Sequence, residues 1–317
     1  MNLTANYIDM SNHHKGQHIV PRCYLKYFSF DKQENPHVYV YDKVAGKPYP
    51  TSLSKICVEE DIYTPSENSE TGANLTLDER RKCYEVNYLK KEVEDKYGPC
   101  LEYIISKLSI NERLMVREKM DLSHFISIQY LRQPNVKTIS PYFNTGLFSD
   151  FSVAKHVIEQ VNDKDISLPT YTDDKAEAHY KNAYGNEGTI NMLTCLFGCA
   201  RWEFIHCPHC VYTSDNPVLA MPRRFEIHNR TVICGKEMEL FVFPITCDYL
   251  LTIEINPNAS FERNNACVIR ESMKDEILRY NLLQYICSKR YTVSIDNFEN
   301  DYEFINRIPK EYTIWRD

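Results

Sequence analysis

Apolar side chains recur along this chain with two periods. From Lys82 to Leu108, the residues Leu89, Val93, Tyr97, Leu101, Ile104 and Leu108 return every three or four positions, which predicts one long helix with a single apolar face. Pro99 has no amide hydrogen to give to a helix interior and is expected to kink or split it. At about 100° per residue Glu94 borders the apolar stripe, while Glu92 points away from it. A second helix is predicted over 111–133, ending before Pro134 because the residue preceding a proline avoids the α region. Its apolar face carries Leu114, Met115, Leu122, Phe125 and Ile126; Gln129 falls in the middle of that face, Arg132 on its flank, and His124 toward solvent. Further helical stretches are predicted over 143–161 and 187–199. Ser272 with Asp275 resembles a capping box opening a last helix that runs to Cys287, where Asn281 lies among Ile277, Leu278 and Tyr285. Three helices thus place polar residues where the pattern expects carbon.

The second period is two. Residues 37–41 and 202–206 alternate as strands do, and strands are also predicted over 47–52, 224–228, 231–234, 240–243 and 249–255. After the strand at 202–206, the run Tyr212-Thr213-Ser214-Asp215-Asn216-Pro217 places Asp215 at a strand end, since Pro217 cannot continue a central ladder. A carboxylate fixed there suits an active site, and Asp-Asn-Pro is equally ordinary turn chemistry. Residues 1–17 read as a polar lead-in, 67–76 as a loop and 162–174 as a polar connection. Helices and strands are segregated rather than alternating. The expected fold is therefore α+β, helices packed on a largely antiparallel sheet, in a single domain over 1–317: a β-rich part at 18–65, a helical part at 78–165, and a β-rich part with a closing helix at 187–295.

Composition narrows the function classes. Only 9 of the 317 residues are glycine, and neither a dinucleotide-binding nor a P-loop glycine pattern occurs. The formal charge of −7 leaves nucleic acid as a partner only through a local basic patch, and Arg80-Arg81-Lys82 is too short to be one alone. No run approaches the ~18 apolar residues of a membrane helix. The 12 scattered cysteines read as reduced thiols rather than a disulfide scaffold, so a cytoplasmic protein without a membrane partner is expected.

The segment His18-Ile19-Val20-Pro21-Arg22-Cys23-Tyr24-Leu25-Lys26-Tyr27-Phe28, followed by Val38-Tyr39-Val40-Tyr41-Asp42-Lys43, resembles the start of the bacterial domain-of-unknown-function family 4238. Later landmarks agree in order: Asp61-Ile62-Tyr63, Val93-Glu94, Gln129 to Pro134, Tyr212 to Val218, Phe243-Pro244 and Tyr280-Asn281-Leu282. The resemblance spans about 18–294 and implies one family domain. It supplies a residue pattern that includes His18, Glu94, Gln129, Arg132, Asp215 and Asn281, and no reaction. Four of these, Glu94, Gln129, Arg132 and Asn281, were also singled out by helical phase.

A buried charge must be paired, so Arg132 is expected to lie buried against Glu94 or Asp215. One reading is a structural polar network, in a noncatalytic interaction or regulatory protein. The other is a hydrolase acting on a phosphate ester or nucleic acid: His18 as acid or base, Arg132 as anion clamp, Glu94 or Asp215 as base or ligand of a divalent metal, and Gln129, Asn216 and Asn281 as binding groups. Its cofactors are unknown from the sequence. Cys195, Cys199, Cys207 and Cys210 have zinc-like spacing, with His206 and His209 as further possible ligands, and His13, His14 and His18 form a second cluster; neither is expected to be a metal site. Ser214 lacks the glycine-flanked elbow of a nucleophile.

Overall fold

The computed structural model describes residues 15–133, 174–181, 187–209, 211–222, 225–228, 231–234, 238–255, 267–273 and 276–299. The first strand, β1 (Gly16–His18), forms an antiparallel ribbon with β4 (Val58–Glu60), His18 opposite Val58. Between them lie α1 (Arg22–Leu25), β2 (His37–Asp42) and β3 (Lys47–Ser52). The polar lead-in therefore ends earlier than its sequence suggests: Gln17 is fully buried, because its amide oxygen accepts from Tyr63 N at 2.6 Å and its amide nitrogen donates to Thr64 and to the Arg81 carbonyl.

The long predicted helix exists as three continuous pieces. The first is α2 (Leu77–Tyr84), opened by a capping box in which Thr76 and Glu79 satisfy each other's amides. A π-helix over Glu85–Glu94 follows, and then α3 (Asp95–Ser109). The helix passes through Pro99, and the change in winding sits just before α3, on the N-terminal side of the proline. Next, α4 (Val116–Arg132) starts later than its periodicity implies, since Asn111 takes the left-handed backbone region (φ 57°) and the Glu118 carboxylate caps the Met115 amide. Met115 is consequently exposed, and His124, expected in solvent, is half-buried edge-on against Phe125. Lys107 of α3 pairs with Glu118 of α4 at 2.8 Å.

A short helix, α5 (Lys175–His179), precedes α6 (Glu187–Gly198). The end of α6 packs closely on α4, where a Cβ added at Gly198 would meet Met120 Sδ at 2.1 Å. The predicted helix over 143–161 lies outside the described residues.

The remaining strands are β5 (Arg201–His206), β6 (Thr213–Ser214), β7 (Leu219–Pro222), β8 (Phe225–His228), β9 (Thr231–Cys234), β10 (Met238–Pro244), β11 (Tyr249–Glu254), β12 (Cys267–Glu271) and β13 (Tyr291–Ser294), with α7 (Glu276–Cys287) before β13. A five-stranded sheet has the order β12-β5-β11-β10-β7, and a four-stranded sheet the order β3-β2-β13-β6. All pairings are antiparallel except β12 on β5, and β8–β9 form a separate ribbon. The fold is α+β, as the segregated pattern predicts. One buried core runs from Val20, Leu25 and Phe28 through Leu101 and Ile126 to Trp202, Phe204 and Phe243, joining the helices to the larger sheet. Among the described residues, no helix is long and apolar enough to cross a membrane. Asp215 to Val218 is where the chain crosses from the smaller sheet, at β6, to the larger one, at β7.

Candidate functional site

The polar residues singled out by the sequence fall into two sets. The first surrounds Arg132, whose side chain is 1% exposed. Its Nη1 donates to Glu94 Oε1 at 2.9 Å and its Nη2 to the His18 carbonyl at 2.5 Å, while the guanidinium lies 5.8 Å from the centre of the buried Tyr63 ring. Arg132 thus joins the end of α4 to the end of the π-helix and to β1, with Glu94 as its carboxylate partner. From one turn earlier on α4, Gln129 donates to the Ile19 carbonyl at 3.4 Å. Its Oε1 is buried and has no hydrogen-bond partner among the described residues.

Glu85 belongs to this set and does not stand out in the sequence. Nine residues at about 100° each would put Glu85 and Glu94 on opposite faces of an α-helix. In a helix closed by i→i+5 bonds the winding is roughly 80° per residue, and nine residues return to nearly the same face. Both carboxylates therefore approach Arg132. The only hint is the spacing of Tyr84, Leu89 and Val93, five residues and then four. Oε1 of Glu85 accepts from the His18 amide at 3.3 Å, and Oε2 is buried without a hydrogen-bond partner among the described residues.

The electrostatics of this set are inverted from those in water. Burial, with Glu94 adding to it, pushes the Glu85 carboxyl up to about 7 against the pull of Arg132. Burial, together with the Arg22 and Arg132 charges, lowers His18 to about 4, opposed by a hydrogen bond to the Leu53 backbone. His18 Nε2 is buried and has no hydrogen-bond partner among the described residues. Near pH 6 the site holds a neutral imidazole and a protonated carboxyl.

These shifts predict a stability profile. Glu85 is raised from 4.5, so its contribution is complete below pH 4.5 and is lost as pH rises toward 7. His18 is lowered from 6.5, so its contribution is complete above pH 6.5 and is lost as pH falls toward 4. Between 4.5 and 6.5 the two slopes oppose each other and nearly cancel. Glu85→Gln should therefore leave stability climbing with pH across that window, and His18→Asn should leave it falling, each by up to about 1.4 kcal/mol per pH unit. Urea melts at several pH values check this; profiles parallel to the parent's would refute both assignments.

The second set surrounds the sheet crossover. The buried Asp215 carboxylate accepts three backbone amides: Lys289 at 2.8 Å on Oδ1, and Arg290 at 2.6 Å and Tyr291 at 2.9 Å on Oδ2. Burial raises its pKa, while the three donors and the Lys43 ammonium act in the other direction. Asn216 donates from Nδ2 to the Cys287 carbonyl, and Asn281 Oδ1 accepts from the Tyr212 amide. Gln284 bonds Ser214 Oγ and the Pro217 carbonyl, and Gln133 makes both backbone bonds of Val218. Lys43, lowered by burial to about 8, donates to the Ile286 and Ser288 carbonyls at the end of α7. Gln133, Gln284 and Lys43 were not legible as participants, because their partners, main-chain groups and the Ser214 hydroxyl, lie far away in sequence. Here Asp215 fastens a crossover, and its bonds are to backbone rather than to Arg132.

A family model described as Protein of unknown function (DUF4238) matches residues 16–297. The chain belongs to that family. The DUF4238 match spans both polar sets and supplies no reaction. No curated protein and no solved structure matches the chain.

Of the other metal candidates, Cys195 on α6 and Cys199 just after its end are exposed free thiols, and Cys207 is half-buried. Cys210, His13 and His14 lie outside the described residues.

Proposed function

We propose that this protein is a hydrolase whose chemical centre is His18, Glu85, Glu94 and Arg132, and that its substrate is a phosphate ester or a nucleic acid. The observation that carries this reading is the pair of buried, unpartnered atoms, His18 Nε2 and Glu85 Oε2, on groups shifted in opposite directions from their ordinary values. Glu85 acts as the proton donor to a leaving oxygen and His18 Nε2 as the base. Arg132, fixed by Glu94, supplies positive charge. Exposed Arg22, close enough to depress the His18 pKa, adds to it and makes the local basic patch that an otherwise acidic chain needs for a phosphate. Ten of the described cysteines are free thiols, which accords with a reducing cytoplasmic setting.

The noncatalytic reading draws on the second set, where Asp215, Asn281 and Gln284 are held by main-chain and neighbouring polar groups as a structural network would be. Release of p-nitrophenol from bis(p-nitrophenyl) phosphate and cleavage of single- and double-stranded oligonucleotides, measured from pH 3 to 9, separate the two. The proposal expects a bell-shaped rate with limbs near 4 and 7, lost in Glu85→Gln and His18→Asn proteins that still fold. No turnover on any substrate, with the biological effect intact in both variants, would leave the noncatalytic protein standing.

A further inference from the structure

Away from both polar sets, two turns at the same end of the larger sheet meet. One, after β5, is Cys207-Pro208-His209; the other, between β10 and β11, is Ile245-Thr246-Cys247-Asp248. They are bound to each other by main-chain bonds, Cys207 N to the Asp248 carbonyl at 2.8 Å and Val211 N to the Cys247 carbonyl at 3.0 Å. Thr246 Oγ1 accepts the Asp248 and Tyr249 amides and fixes the second turn. At its centre, three ligand atoms of different chemistry face one another. His209 Nδ1 lies 3.3 Å from Asp248 Oδ1 and 3.9 Å from Cys247 Sγ, and all three ligand atoms are within 4.8 Å of one another.

We propose that His209, Cys247 and Asp248 bind one divalent transition-metal ion of the zinc class. Bond lengths of about 2.0 Å to N and O and 2.3 Å to S at tetrahedral angles place N and O ~3.3 Å apart and N and S ~3.5 Å apart, so the imidazole nitrogen already stands at ligand spacing from the carboxylate and close to it from the sulfur. Mixed imidazole, thiolate and carboxylate donors select zinc-class ions over calcium or magnesium, which favour oxygen throughout. The backbone is arranged for it as well. His209 sits in the left-handed region at φ 57°, unusual for a non-glycine residue, and its amide donates to Asp248 Oδ1 at 2.8 Å. Two of the ligands are thereby held in register. Cys247 is buried, and binding releases its thiol proton to solvent as the metal–sulfur bond forms. His209 is exposed, so the fourth position faces water, as in sites that take an outside ligand.

Full-length protein stripped with chelator and titrated with Co²⁺ tests this. One Co²⁺ per chain should bind with a thiolate-to-cobalt charge-transfer band, which Zn²⁺ then bleaches. Cys247→Ser should remove the band, the exposed His209→Asn should weaken Zn²⁺ binding by at least about tenfold, and the Cys195→Ser/Cys199→Ser double variant should change neither. Absence of the band, its survival in Cys247→Ser, or unchanged Zn²⁺ affinity in His209→Asn would overturn the site. If Cys247→Ser does not fold, the His209→Asn affinity decides.

Discussion

Arg132→Ala is expected to lower the free energy of unfolding by about 3–5 kcal/mol at neutral pH, the usual cost of removing one partner from a buried ion pair. The guanidinium joins three elements: it holds Glu94 at the end of the π-helix, the His18 carbonyl at the end of β1, and the face of Tyr63. Truncation leaves a carboxylate without its cation and a main-chain carbonyl without its donor, and it opens space in the core. Arg132→Met should cost less, because it refills that space, yet it too leaves Glu94 unpaired. Removing the charge should also raise the pKa of Glu85 and of His18, since Arg132 acts downward on both. Urea melts measure the first effect and NMR titration of His18 the second. A loss below about 1 kcal/mol would mean that the 22% exposure of Glu94 lets water screen the pair.

The part of this centre that was legible in the sequence was legible for a physical reason. α4 is a regular helix, so a constant angle per residue correctly put Gln129 and Arg132 against the core, and Glu94 adjoins α3, where the same angle applies. Glu85 was hidden because the angle changes: the π winding that brings it under Arg132 has no strong local signature, and a phase computed for an α-helix sends it to the opposite side. The strand end at Asp215 was visible from Pro217, but its purpose was not. The amides that occupy the carboxylate belong to residues 74 to 76 positions further on, brought there by β6 pairing with β13, and a pairing that distant leaves no periodic trace. The same limit applies to His209, Cys247 and Asp248. The spacing of the cysteines drew attention to Cys207 and Cys210 with His206 and His209, whereas the cluster that forms takes only His209 of these and adds two residues from another hairpin.

Asp215→Ala should destabilise the protein as much as Arg132→Ala, through a different mechanism. Three main-chain amides, those of Lys289, Arg290 and Tyr291, lose their buried acceptor together, and each donor that water does not reach costs about 1–3 kcal/mol. The loss should exceed about 3 kcal/mol in a denaturant melt. Asp215→Asn keeps one oxygen and turns an NH₂ toward amide hydrogens, so it should fall between parent and alanine variant. The damage should also be local: these amides lead into β13, which pairs with β6 just before the crossover, so hydrogen exchange at 289–293 should quicken before exchange in β5 or β11 does. Neither Glu85→Gln nor His18→Asn should show that pattern, because the bonds around them run to each other, Arg132 and Glu94 rather than to 289–291. If Asp215→Ala instead melts within about 0.5 kcal/mol of the parent and its 289–291 amides stay protected, the carboxylate is not fastening the crossover. It would then stand beside Glu85 as a reactive group.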